Sequence, residues 1–209
     1  MGVFESGGVG RGCELEENGH SRSESGDRLH QSASFDRSQA RFSRRKVGDN
    51  REWDCSSGIG EERIEIPYQP PAEYDYKIGF TKLSGNNFII QILSEKALPF
   101  IWLMSTGGDY TFHYVKGYGT GQNKTAVHGP GIAANARHIS IVRVRKNGVE
   151  AFFDGRPLSK WRTDYADVSI EPFWLLRDNS LLGLATEDAK TVFHSVEVKE
   201  ITDKGKFTR

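Results

Sequence analysis

The sequence predicts an all-β fold: two antiparallel sheets packed as a sandwich, preceded by a disordered N-terminal tail. Three observations carry that prediction. From about residue 51, apolar and polar residues alternate at period two in several short runs, which puts successive side chains on opposite faces of a strand. Gly, Asn, Asp and Pro break those runs at regular intervals, as turns between strands require. No window longer than a turn or two carries the 3.6-residue period of an amphipathic helix.

Residues 1–50 read differently. They are rich in Gly, Ser and Arg, and their apolar residues, among them Leu15, Leu29, Phe35 and Phe42, stand alone. Ordering each residue costs about 1–2 kcal/mol of backbone entropy, and so little apolar surface cannot offset it. The expected organisation is a disordered or linker segment over 1–50 and one domain over 51–209. The run SQARFSRRK at 38–46 reads as solvated linker in preference to a nucleic-acid arm, because acidic residues are interleaved upstream. Cys13 and Cys55 both precede the strand-rich region and read as free thiols in preference to a disulfide. The chain as written shows neither the apolar core of a secretory leader nor a run of ~18 apolar residues, so neither an export signal nor membrane insertion is expected. Lys and Arg total 28, as do Asp and Glu, giving a net charge of zero. No global field would recruit nucleic acid, and composition gives no reason to expect a local basic patch.

Taken in order, residues 63–66 form a short strand that Pro67 ends. The segment Pro67-Tyr68-Gln69-Pro70-Pro71 is an extended lead-in, since its prolines fix φ. The cleanest strand is 74–80, where Tyr74, Tyr76, Ile78 and Phe80 alternate with Asp75, Lys77 and Gly79. Asn86-Asn87 breaks the pattern and 88–93 resumes it as a separate strand. The almost wholly apolar run 99–104 is a central strand buried on both faces. Gly107-Gly108 then turns the chain into 109–115, with Tyr110, Phe112 and Tyr114 on one face and Thr111 and His113 on the other. The Gly-rich passage 116–131 is too long for a tight hairpin and too polar for the core, and such loops are where a rigid scaffold carries binding residues. Residues 139–158 form a three-stranded meander around two turn signals, Asn147-Gly148 and Asp154-Gly155. In its middle strand Val149, Ala151 and Phe153 face inward and Glu150 outward. After an irregular stretch at 161–170 come short strands at 173–176 and 181–186. The last strand, 191–201, is expected to carry Val192, His194, Val196 and Val198 on one side.

Few constellations suit catalysis. Glycoside hydrolysis needs two carboxylates flanking the scissile bond. Glu73 and Asp75 are the nearest match, but they share the polar face of a strand and are expected to be solvent-exposed. There is no Gly-x-Ser-x-Gly elbow and no Cys after residue 55. His113, His128, His138 and His194 are scattered, and His194 reads as a hydrogen-bonded structural residue. Gly117-Tyr118-Gly119-Thr120-Gly121 lacks the spacing and context of a dinucleotide loop and reads as loop flexibility. Asp178-Asn179-Ser180 and the acidic residues at 164–167 are as good turn formers as calcium ligands, so no metal or other cofactor is expected. Asn123-Lys124-Thr125 matches an N-glycosylation acceptor, of consequence only on a glycosylating secretory route. Aromatics are numerous, and an exposed ring is a platform for the apolar face of a sugar. Tyr118 lies in the long polar loop, and Trp102 and His113 lie on strands leading to it. These three are the candidate ligand-binding residues, with no catalytic residue assigned.

The motifs IPYQPPAEYDYKIGF at 66–80, HISIVRVRKNGVEAFFDG at 138–155, WRTDY at 161–165, LLGL at 181–184 and VFHSVEVKEI at 192–201 resemble, in order and spacing, the concanavalin A-like (laminin-G and lectin/glucanase-like) sandwich domains of bacterial proteins. The chain is similar also to the fold of 3-keto-glycoside hydrolase domains. The resemblance implies a jelly roll of two curved sheets, with glycans often held on the concave face or by the loops above it. The glucanase members carry a Glu-x-Asp-x-(x)-Glu strand, whereas here Lys77 and Ile78 stand where the last Glu would fall. The expected function is therefore a non-catalytic carbohydrate-binding module. A glycoside-processing hydrolase with an atypical site and a structural protein-interaction domain are the alternatives.

Overall fold

The computed structural model describes residues 45–46, 53–55 and 61–208. Its strands are, in order, β1 (Arg45–Lys46), β2 (Trp53–Cys55), β3 (Glu61–Ile66), β4 (Tyr68–Gln69), β5 (Tyr74–Glu95), β6 (Leu98–Ser105) and β7 (Asp109–His113). They continue with β8 (Val127–His128), β9 (Arg137–Arg145), β10 (Gly148–Phe153), β11 (Arg156–Trp161), β12 (Leu182–Glu200) and β13 (Lys206–Phe207). Two 3₁₀ turns, Thr120–Gln122 and Pro172–Trp174, are the only helical pieces among the described residues. The expected tail lies outside the described residues apart from Arg45–Lys46, which pairs with β12. Cys13 lies outside them too, and Cys55 enters only as the backbone partner of Thr191.

Two long strands belong to both layers. β5 and β12 pair antiparallel along their length. The first half of β5 lies between β9 and the second half of β12, so one sheet runs β11-β10-β9-β5-β12, with β1 and β2 beyond. The second half of β5 lies between β6 and the first half of β12, so the other runs β8-β7-β6-β5-β12-β3. The corner between the layers falls where Gly85 pairs with Ala189 and Asp188 drops out of the ladder. Gly85 has φ +88° and Asp188 φ +43°. A Cβ on Gly85 would lie 2.0 Å from the Asp188 carbonyl oxygen, so only glycine lets the two backbones turn together.

The sequence expectation of separate strands at 74–80 and 88–93, and at 181–186 and 191–201, is corrected here. Asn86-Asn87 sits at a bend inside one strand, because β12 follows β5 around the corner and keeps the ladder closed. The expected strand at 173–176 is also corrected: Pro172 has no N–H to give a ladder and begins a 3₁₀ turn instead. In β12 a further bulge, between Phe193 and Ser195, shifts the phase. Phe193, Val196 and Val198 are therefore buried, while Val192 and His194 are only half-buried.

The core between the sheets is aromatic. Tyr74, Tyr76, Ile78 and Phe80 of β5 meet Phe100, Trp102 and Met104 of β6 and Tyr110 and Phe112 of β7. Some buried polar groups inside it are paired across the layers, whereas the indole Nε1 atoms of Trp102 and Trp161 are buried without a hydrogen-bond partner. Ser140 Oγ of β9 donates to Gln91 Oε1 of the opposite sheet at 2.6 Å, and Gln91 Nε2 donates to the Tyr76 carbonyl at 3.1 Å. The outer face of the second sheet is sealed by a separate apolar cluster. Trp174 covers Ile90, Ile92, Ile101, Leu103 and Ala185 there.

The meander forms as its alternation predicts, with Val149, Ala151 and Phe153 buried and Glu150 facing out. Asp154-Gly155 is a tight turn with both φ angles positive. The first turn differs from expectation. Its two-residue loop is Lys146-Asn147, with no positive φ at either, and Gly148 is the first residue of β10. Glycine is needed at 148 for proximity: a Cβ would lie 2.6 Å from the Trp161 carbonyl oxygen.

Candidate functional site

β7 and the loop that follows it bring two of the three candidate residues together. Phe112 and Trp102 are cross-strand partners whose side chains point into the sandwich. Trp102 is fully buried, its ring 4.7 Å from that of Phe112 and stacked on Tyr110 at 6.0 Å. It offers no face to a ligand, which corrects its assignment as a binding residue: the alternation that put it on a strand leading to the loop also turned it inward. His113, one residue on from Phe112, points the other way.

The His113 side chain is 13% exposed, and its Nδ1 stands 3.7 Å from Glu171 Oε2. Nδ1 is buried without a hydrogen-bond partner. Burial holds the imidazole below its ordinary pKa, so the ring is neutral near pH 7. Tyr118 lies close by. Its neighbour Gly119 passes directly over His113, where a Cβ would be 3.3 Å from Nε2. Tyr118 itself is 50% exposed. Of the seven tyrosines it is the exposed one.

The loop carrying Tyr118 is anchored by hydrogen bonds on both sides of that residue. Tyr114, Lys116 and Gly117 all adopt positive φ, at 67°, 55° and 76°. The turn is held by Lys116 N–H donating to the Asp167 carbonyl at 2.8 Å and Tyr118 N–H donating to the Val115 carbonyl at 3.1 Å. Asn123 is the peg beneath it. Its Nδ2 donates to the carbonyls of Phe112 at 2.7 Å and Tyr118 at 3.3 Å, and its Oδ1 accepts the Thr125 N–H at 2.9 Å. Asn123 is only 7% exposed. The Asn123-Lys124-Thr125 pattern thus has a structural explanation, and its amide faces the protein interior. Lys124 lies over the Trp161 ring, 5.3 Å from its centroid, and 3.5 Å from Asp167 Oδ2.

The nearest carboxylate pair is used for structure. Asp75 is only 6% exposed, contrary to the expected solvated position, because Arg145 and Arg143 both reach it. Glu73 Oε1 accepts the Lys146 N–H at 2.8 Å, tying the meander turn to β5. His194 Nε2 is 2.9 Å from Thr81 Oγ1, and His138 Nδ1 is 2.7 Å from Asp154 Oδ2, so both histidines brace strands. Asp178 accepts from the N–H and hydroxyl of Ser180 within its own turn. Among the described residues no group of three or more His, Cys, Asp or Glu side chains is placed to hold a metal ion.

What remains near the surface is an aromatic ring on a rigid loop, a neutral imidazole below it and a carboxylate beside the imidazole. Chemically, such a set can pack a C–H face and exchange hydrogen bonds with hydroxyls. Glu171 was not legible as a neighbour of His113, since the two are 58 positions apart and only the turn at Pro172–Trp174 brings them together.

No family model and no curated protein sequence matches the chain. Among solved structures it is similar to the carbohydrate binding module CBM66 from Bacillus subtilis, at 12% identity and a TM-score of 0.50, over 77% of this chain and 92% of that one. It is similar also to the exoplasmic/lumenal domain of VIP36 in its Ca2+/Man3GlcNAc-bound form, at 8% identity and a TM-score of 0.52, over 78% of this chain and 86% of that one. The likeness shows the fold, a concanavalin A-like jelly-roll sandwich.

Proposed function

We propose that this chain is a non-catalytic carbohydrate-binding module whose glycan packs against Tyr118. The observation that carries the reading is the half-exposed Tyr118 ring on a loop that Asn123 holds rigid. A pre-ordered aromatic platform binds without the entropic cost of ordering a loop, and its apolar face matches the C–H face of a pyranose. In this reading His113 and Glu171, 3.7 Å apart beside the same loop, supply hydrogen-bonding groups for its hydroxyls. The same sandwich serves a carbohydrate binding module in Bacillus subtilis and a Man3GlcNAc-bound domain in VIP36, which gives the ligand class its precedent.

Affinity electrophoresis through gels containing a panel of neutral polysaccharides tests the reading. At least one polysaccharide should retard the wild-type protein, and Tyr118→Ala should weaken that retardation about tenfold, equivalent to about 1.4 kcal/mol, with an unchanged melting temperature. Retardation by none, or equal retardation of Tyr118→Ala, would overturn it.

A further inference from the structure

The two outer faces of the sandwich are unlike. Trp174 and its neighbours seal the face of the second sheet, whereas among the described residues no such cluster covers the face of the first sheet over β5, β9 and β10, where Ile139 is 39% exposed. Charge is unevenly shared as well. The chain is neutral overall, yet residues 137–162 hold seven Lys or Arg and only two Asp or Glu. The acids on this face are already engaged: Asp75 with Arg145, Glu150 with Lys160 at 2.6 Å, and Glu197 with Lys77 at 3.2 Å.

Two arginines on outward positions of β9 stand apart from these close pairs. Arg137 is exposed, lies across Gly79 and has no ion pair among the described residues. Arg143 stacks on the Phe152 ring at 4.4 Å and comes no closer than 4.0 Å to Asp75. Stacking fixes the plane of its guanidinium, so its fork is set for an oxyanion before one arrives. The two arginines are six residue steps apart on the strand, roughly 20 Å at about 3.3 Å per residue. Ile139, Ile141 and Phe152 form an apolar strip between them.

We propose that this face is a second recognition surface, for an acidic polysaccharide running along β9. Its carboxylates would meet Arg137 and Arg143, and the C–H faces of its sugars would cover the isoleucines. A purely ionic partner has no use for the apolar strip, and a neutral glycan has none for the cations. The inference rests on the reading of the chain as a carbohydrate binder but uses a different surface from Tyr118.

The test is retention of the whole protein on immobilised polygalacturonate at low and moderate salt, beside its methyl-esterified form and poly-L-glutamate. Wild type should be retained by polygalacturonate in a salt-sensitive way and at least tenfold more weakly by the other two. Arg137→Gln and Arg143→Gln should each cut that retention severalfold and together abolish it. Arg143→Lys, which keeps charge without the planar fork, should fall between Arg143→Gln and wild type. Tyr118→Ala should leave it unchanged. No retention on polygalacturonate, equal retention on poly-L-glutamate, or retention indifferent to Arg137→Gln, which lies at an exposed position, would overturn the proposal. Failure of the neutral-glycan reading alone would appear separately, as loss of all Tyr118-dependent binding with polygalacturonate retention intact.

Discussion

Replacing Gly85 with alanine tests whether β5 and β12 turn one shared corner. Gly155 supplies the control, since both glycines adopt left-handed φ, +88° and +79°. Alanine at either site incurs roughly 1–2 kcal/mol for that backbone conformation. At Gly155 no atom lies within 4 Å of the new Cβ, so conformation is the whole cost. At Gly85 the Cβ would stand 2.0 Å from the Asp188 carbonyl oxygen and 2.8 Å from Ala189 Cα, both backbone atoms of the partner strand. Shifting a paired backbone adds roughly 1–3 kcal/mol, by analogy with overpacking. The expected losses are thus about 1.5 kcal/mol for Gly155→Ala and about 3.5 kcal/mol for Gly85→Ala. For a domain of this size about 1 kcal/mol corresponds to roughly 2–4 °C, so the melting temperatures should differ by roughly 4–8 °C. Thermal unfolding followed by far-ultraviolet circular dichroism measures the gap. Equal melting temperatures for the two variants would refute the shared corner and restore two separate strands on each side of it.

Three further outcomes follow from the site and core. Asn123→Ala removes the bonds that hold Tyr118 and Thr125, and should cost about 2–3 kcal/mol while raising amide exchange across residues 113–125; unchanged exchange there would mean the loop is held by other means. Trp102→Ala empties a fully buried position and should cost about 3–5 kcal/mol, yet at temperatures where it stays folded its glycan binding should match wild type. Loss of binding in folded Trp102→Ala would return Trp102 to the site. Because burial holds His113 below its ordinary 6.5, the unfolded chain binds more protons than the folded chain once pH falls below about 6.5. The resulting stability is complete above that pH and declines as pH drops toward the folded-state pKa; urea midpoints measured from pH 7.5 to 5 should show a shallower decline in His113→Gln.

Much of the architecture could be read from local pattern. The alternation at 74–80, the meander and the Asp154-Gly155 turn each obey rules that act over a few residues, and each is present. What escaped were properties set by distant neighbours. Gly85-Asn86-Asn87 has the composition of a turn, and only the presence of Asp188 and Ala189 alongside makes it a bend within a strand. The bulge after Phe193 inverted the expected side of His194 without any mark in the sequence. Asp75 looked solvated because its strand alternates, but arginines from β9, some 70 positions away, bury it. The basic excess of residues 137–162 disappears in a neutral whole-chain total and shows only when that segment is counted by itself. At the candidate site, the exposure of Tyr118 was legible from loop polarity, whereas the inward turn of Trp102 and the approach of Glu171 to His113 depend on tertiary packing.

Tyrosine-selective isotope labelling offers the most direct check on the central claim, because Tyr118 is the one exposed tyrosine of seven. The labelled protein would be titrated with an oligosaccharide of whichever neutral polysaccharide retards it, and the ring resonances followed by NMR. The Tyr118 ring resonance should shift most and saturate with the binding isotherm, while those of the buried tyrosines stay nearly unmoved. Saturable binding with the Tyr118 ring unmoved would place the glycan elsewhere and contradict it.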